Sequence, residues 1–149
     1  MSLLEAIRTL ITKFSCRSSS TGGNMKGQLQ CSCGCGMTPK STLINILDKI
    51  EKMCGFELVI TSCARCEKHN TDIGASKNSA HTLGLAVDIH YENSNQLYLL
   101  EKAIFSIGIR RTGLSQKNNF RHIDIASGSV PNPKVGGILE YPQDVDWKY

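Results

Sequence analysis

The stretch SAHTLGLAVDIH, residues 79–90, constrains the fold more than any other. Its second half, GLAVDIH, is short, apolar and β-prone, which reads as a strand. Alternate residues of a strand share a face. Asp88 then points the same way as Ala86 and His90, while Val87 and Ile89 point into the core. Such a strand needs an apolar layer beneath it and something that accepts a carboxylate above it. FRHIDIA, residues 120–126, is built alike, with His122 and Asp124 on one face and Ile123 and Ile125 on the other. Burying an ionised carboxylate without a partner is costly, and a divalent cation removes that cost.

The rest of the chain reads as scaffold. Its 149 residues fit one domain, 1–149. An apolar content of 40% and a charged content of 20% match globular averages, so a compact core is expected. In MSLLEAIRTLITKFS, Leu3, Ile7, Leu10, Ile11 and Phe14 recur at helical spacing and predict an amphipathic helix over 2–14. The glycine- and serine-rich stretch 17–30 predicts a loop. The clearest helix is TPKSTLINILDKIEKMCG, residues 38–55. Thr38 is placed to cap, Pro39 to open and Gly55 to end it, and Leu43, Ile44, Leu47, Ile50 and Cys54 form its inner stripe. FELVITS, 56–62, predicts a buried strand, and CARCEKHNTDIGASKNS, 63–79, a long polar loop. SNQLYLLEKAIFSIG, 94–108, predicts a second such helix, with Ser94 as cap and Gly108 as stop. The tail, 127–149, is turn-rich, ends in aromatics and is expected along an edge. Together these give an α+β domain: a small antiparallel sheet with flanking helices, a cleft above it and a catalytic core over about 36–126.

The net charge of +4 is mild, and the basic residues are scattered with few aromatics among them. That fits plain solubility and speaks against nucleic acid as a partner. No apolar stretch is long enough to span a bilayer. The N-terminus is short for a secretion signal and carries Glu5 among its leucines. The expectation is a monomer made in the cytoplasm without its own export signal.

Two imidazoles and a carboxylate at the ends of two apolar strands match the donor set of a catalytic zinc site, whose fourth position is left to water. His81 sits in the loop before its strand, and Gly84 lets the backbone turn so that His81 folds back beside Asp88. Ala86 is small and leaves room on that face, and His122 is the best candidate for the third ligand. SAHTLGLAVDI also matches the S-x-H-x-x-G-x-A-x-D pattern of the zinc D-alanyl-D-alanine carboxypeptidase family, which shares its fold with the hedgehog signalling domain. FRHIDI resembles that family's second motif, H-x-D. The segment VITSCARCEKHNTDIGASKNS resembles the one before its first motif, and KFSC with CSCGCG resembles the N-terminal part of many phage-borne members. The similarity runs from about Phe14 to Asp124.

The resemblance implies that His81, Asp88 and His122 hold zinc. It implies that Arg65 lies by the cleft and pairs with a substrate carboxylate, and that Ser79 donates a hydrogen bond to substrate. Asp124 is read as the general base or as an outer carboxylate that orients His122; the alternative exchanges the roles, with Asp124 as ligand. His90 faces the same side by parity, but a strand end is ordinarily exposed, and His69 reads as structural. The implied activity is hydrolysis of a peptidoglycan stem peptide containing D-alanine, as a carboxypeptidase or an endopeptidase. A phage lysis enzyme, released by a membrane-permeabilising holin or carried by a virion, fits that reading. The alternative is a hedgehog-like zinc-containing binding module without catalysis. Where family members carry a glycine and a tyrosine before H-x-D, this chain has GIRRTGLSQKNNFRHID, and Arg121 replaces an apolar residue. These departures bear on substrate preference more than on metal binding.

Seven cysteines are present, an odd number, which argues against a fully paired disulfide framework. Cys31, Cys33, Cys35, Cys63 and Cys66 form a candidate structural zinc site, with Cys63 and Cys66 as a C-x-x-C half-site. C-x-C-x-C is not zinc-finger spacing, and disulfides or buried free thiols remain open readings.

Overall fold

A computed structural model describes residues 25–131 and 138–149. The predicted helix over 2–14, the first part of the predicted loop and Cys16 lie outside the described residues. The main sheet has six strands in the order β1 (Lys26–Gly27), β2 (Val59–Ser62), β3 (Ala86–His90), β5 (Phe120–Asp124), β4 (Arg111–Ser115) and β8 (Val145–Lys148). A hairpin of β6 (Gly128–Pro131) and β7 (Ile138–Tyr141) stands apart. The four central strands pair antiparallel, while β1 and β8 join the two edges in parallel.

One face of this sheet is the core. Val87, Ile89 and Ile123 meet Leu43, Leu47 and Ile50 of helix α1 (Ser41–Cys54) and Leu100, Ala103 and Ile104 of α3 (Ser94–Ser106). Fully burying each large aliphatic side chain contributes about 1.5–3 kcal/mol, so this layer holds the sheet flat against its helices. Val87, Ile89 and Ile123 therefore point down, and by strand parity the alternate residues Asp88, His122 and Asp124 point up.

Helix α1 starts at Ser41, not at Thr38. Lys40 stays extended, and its backbone N–H donates to the Gly84 carbonyl at 2.9 Å instead of entering the helix. Gly84 has a left-handed φ of 69°, and a Cβ there would lie 3.2–3.3 Å from the backbone of Thr38, Pro39 and Lys40. The glycine thus lets the 3-10 turn Ala80–Leu83, which carries His81, seat on the approach to α1. Gly55 ends α1 in the left-handed conformation, as read from the sequence. Asn93 caps α3 one residue ahead of Ser94, accepting from the Gln96 N–H at 2.9 Å.

Three further segments differ from the reading above. The polar loop 63–79 contains a short helix, α2 (Glu67–Asp72), whose sequence EKHNTD has no apolar stripe to announce it. Residues 111–115 form a strand that is buried throughout despite its polar composition, because β5 and β8 flank it. The tail supplies β6, β7 and β8, and β8 runs along the β4 edge. Among the described residues, no helix is long and apolar enough to cross a membrane.

Candidate metal centre

Strand register builds the site. Across the sheet, Ser62 pairs with Asp88, Asp88 with His122, His122 with Gly113, and Gly113 with Trp147. One step along, Ala86 pairs with Asp124 and Asp124 with Arg111. Two adjacent rows of one face therefore carry a ligand pair and, behind it, a carboxylate–guanidinium pair. His81 enters from the 3-10 turn above β3.

The donor atoms of His81, Asp88 and His122 lie within 4.8 Å of one another. His81 Nε2 is 3.5 Å from Asp88 Oδ1, and His122 Nδ1 is 2.8 Å from the same oxygen. A tetrahedral ion with bonds of about 2.0–2.2 Å needs ligand spacings of about 3.3–3.6 Å, so small movements seat one. The outer nitrogens are already committed. His81 Nδ1 donates to the Cys63 carbonyl at 2.6 Å, leaving Nε2 to face Asp88. His122 Nε2 faces Asp124 Oδ2 at 3.2 Å, leaving Nδ1 as the inner atom. Such outer hydrogen bonds fix the tautomer and orientation of metal-binding imidazoles. The residues present therefore fit a zinc ion.

Without an ion, charge is balanced by protons. Burial opposes ionisation of Asp88, but hydrogen bonds from His122 and His81 hold its carboxyl well below the usual range. Burial opposes charge on His122 as well, yet Asp124 and Asp88 raise its proton affinity above that of a free imidazole. A cation held by these donors would take the place of the proton that His122 Nδ1 shares with Asp88.

Asp124 is the better buried of the two carboxylates and is fully engaged. Arg111 Nε and Nη2 hold its two oxygens at 2.5 and 3.2 Å, and the Ala126 N–H donates at 3.1 Å. Burial raises its affinity for a proton, but His122 and Arg111 together lower it further. Arg111 is itself clamped: Nη1 donates to the Pro142 carbonyl at 2.6 Å, and the guanidinium lies over the rings of Tyr141 and Trp147 at 5.1 and 4.9 Å.

Above the triad lies a cavity of about 590 Å³. Arg65 and Ser79 line it. Arg65 donates to Asn70 Oδ1 at 3.1 Å and to Ser62 Oγ at 2.8 Å. Both partners are neutral, so they orient the guanidinium, and among the described residues no carboxylate pairs with it. Ser79 precedes the 3-10 turn without a side-chain capping bond. His90 is half-buried at the end of β3, away from the donor cluster. His69 lies beside the thiols, its Nδ1 3.3 Å from Cys31 Sγ.

Sequence reasoning missed Arg111, Trp147 and Tyr149. The Trp147 and Tyr149 rings meet His122 edge-on at 5.9 and 6.1 Å, forming one wall of the cleft. Gly113 makes room for this wall, since a Cβ there would lie 2.5 Å from Tyr149 Cε2. The signal was faint: two aromatics at alternate positions in DVDWKY, a spacing that puts them on one face of a strand.

The five-cysteine grouping is corrected. Sulfurs of Cys31, Cys33, Cys35 and Cys66 converge, but Cys63 does not join them. Its side chain packs in the apolar core with Leu43 and Val87, where burial pushes the thiol up to about 12. Among the described residues all the cysteines are free.

Two imidazoles and a carboxylate, backed by outer hydrogen bonds and opening on a cleft, have the donor set and layout that a one-metal hydrolytic site requires. The family model described as Peptidase M15 matches residues 16–124, a span that holds all three donors and Asp124, and the chain belongs to this family of zinc-dependent D-alanyl-D-alanine carboxypeptidase-like metallopeptidases. Comparison with curated proteins and with solved structures gives no match.

Proposed function

We propose that this chain hydrolyses peptide bonds in peptidoglycan stem peptides, next to D-alanine, with one zinc ion held by His81, Asp88 and His122. The observation that supports this reading is the meeting of those three donors on the floor of a cleft that also presents a guanidinium held, among the described residues, by neutral partners alone. Bound zinc supplies a water ionisable near neutral pH and polarises the scissile carbonyl.

The chain's own residues do the rest. Arg65 uses two N–H groups on Ser62 and Asn70 and keeps others for a peptide carboxylate. A terminal carboxylate held there favours cleavage as a carboxypeptidase. Ser79 offers its hydroxyl to the peptide backbone. Trp147 and Tyr149 close the side of the cleft over His122 and exclude water. Asp124 keeps the Nε2 proton on His122, and we infer that this positioning is its main task, because Arg111 weakens it as a base. In this reading the protein acts on the cell wall, reached through a holin-like partner or from a virion.

The clamp of Arg111 on Asp124 also favours a second reading, a zinc-containing binding module without catalysis. One experiment separates them. The zinc-loaded protein is incubated with purified peptidoglycan and with a peptide ending in D-Ala-D-Ala. Release of D-alanine from the peptide supports a carboxypeptidase, and new amines from the wall alone an endopeptidase. Wall binding without cleavage supports the module. Neither binding nor cleavage contradicts both.

A further inference from the structure

Away from the cleft, a second donor cluster has no part in the chemistry described. Cys31, Cys33 and Cys35 lie on the turn between β1 and α1, and Cys66 precedes α2. All four sulfurs lie within 4.8 Å of one another. Cys33 Sγ is 3.3 Å from Cys31 Sγ and 3.5 Å from Cys66 Sγ. Four thiolates bound to one ion at about 2.3 Å stand about 3.8 Å apart at the corners of a tetrahedron. The two short separations fall a few tenths of an ångström inside that spacing and none exceeds 4.8 Å, so small movements open the cluster around an ion.

The surroundings are built for thiolates. The turn alternates cysteine with Ser32, Gly34 and Gly36, and both glycines adopt left-handed φ, 79° and 82°. That backbone path lets successive cysteines converge on one point. It is pinned by hydrogen bonds from the Cys31 N–H to the Met37 carbonyl at 2.9 Å and from the Gly34 N–H to the Cys31 carbonyl at 3.3 Å. Backbone N–H groups also point at sulfur: Cys66 N–H at Cys31 Sγ, 3.3 Å, and His69 N–H at Cys66 Sγ, 3.4 Å. Apolar packing does not explain the gathering, because Cys33 and Cys35 are exposed. Cysteine gathered for burial behaves like Cys63, inside the core.

We propose that Cys31, Cys33, Cys35 and Cys66 hold a second zinc ion, structural and four-thiolate, distinct from the ion of the cleft. Four ligands fill a tetrahedron and leave no position for water, so this ion does no hydrolysis. Its work is mechanical. It ties the 31–35 turn to Cys66, the neighbour of Arg65. The same segment is stitched by Ala64 N–H to the Leu29 carbonyl at 3.1 Å and by Arg65 N–H to the His81 carbonyl at 3.1 Å. The Cys63 carbonyl in turn orients the His81 ring. The thiolate ion thus fixes the wall of the cleft that carries Arg65 and the hydrogen bond that aims His81.

The test uses the full chain purified under reducing conditions. Elemental analysis should find two zinc ions per chain. Cobalt substituted for zinc should give an intense thiolate-to-cobalt charge-transfer band. A Cys33→Ser, Cys35→Ser variant should lose one ion and that band. A His81→Ala, Asp88→Ala variant should also lose one ion but keep the band, so the two sites fail separately. One zinc per chain with no charge-transfer band in the unaltered protein overturns the proposal, and that result requires no variant to fold. Disulfides among these four cysteines in the protein purified without reductant, with no bound ion, overturn it as well.

Discussion

The two donor clusters have similar spacing and opposite construction. His81, Asp88 and His122 are placed by strand register and a 3-10 turn, with both imidazoles buried and the carboxylate half-buried, and are backed by Asp124, Arg111 and the Cys63 carbonyl. The four thiols sit on turns, two of them exposed, and are backed mainly by backbone N–H groups. A site written into a sheet inherits its stiffness from the core on the other face. A site written into turns has no such support and depends on what it binds. Removing an outer group should therefore damage the first cluster through local charge, and removing an ion should damage the second through loss of its loop.

The sharpest way to break this contrast is His81→Ala. The cleft should lose its ion and hydrolysis should fall to background, while the thiol cluster keeps its metal. Metal content and amine release check both halves. Next in size is Arg111→Leu, which leaves Asp124 buried with its main cation gone. Breaking a buried pair from one side costs about 3–5 kcal/mol, to be read from urea unfolding of the metal-free protein. A loss near the ~1 kcal/mol of a surface pair would show that Asp124 is not clamped as described.

Asp124→Asn should lower zinc affinity or rate by about 10–100-fold, the usual effect of an outer partner of a metal-binding histidine. Asn keeps an acceptor for His122 Nε2, so it should retain more activity than Asp124→Ala. Equal loss in the two variants would make Asp124 the proton acceptor instead.

The smallest effect is a pH dependence. His122 gains proton affinity on folding, so its contribution to stability is complete below its ordinary value of 6.5 and fades as pH rises through its raised folded value. Asp88 and Asp124 run the other way. Their contribution is present above the ordinary carboxylate value of 3.8 and is lost as pH falls through their lowered values. Metal-free protein should lose melting temperature on the alkaline side. Zinc-loaded protein should not, because the ion occupies the place of that proton. Identical alkaline profiles with and without zinc would contradict this balance.

How much of this could be read in advance follows the same division. Parity along AVDIH and HID gives the upward face directly, because period-two alternation is local to each strand. The two helices that cover the other face show in their own helical stripe and end signals. Arg111 was hidden, since RRTGLS reads as a polar link until β5 and β8 flank it and the register sets it opposite Asp124. Trp147 and Tyr149 needed a parallel pairing between distant segments, which no local pattern encodes. Cys63 was grouped with the thiols by spacing, but its side chain is drawn into the core. Thr38 looked like a cap, but its segment is held outside the helix by Gly84.

Anomalous diffraction at the zinc edge, from crystals of the zinc-loaded protein, tests the central claim most directly. A peak should lie about 2.0–2.2 Å from His81 Nε2, Asp88 Oδ1 and His122 Nδ1 together. A fully loaded crystal with no peak among those atoms, or with Asp124 bound in place of His122, would contradict it.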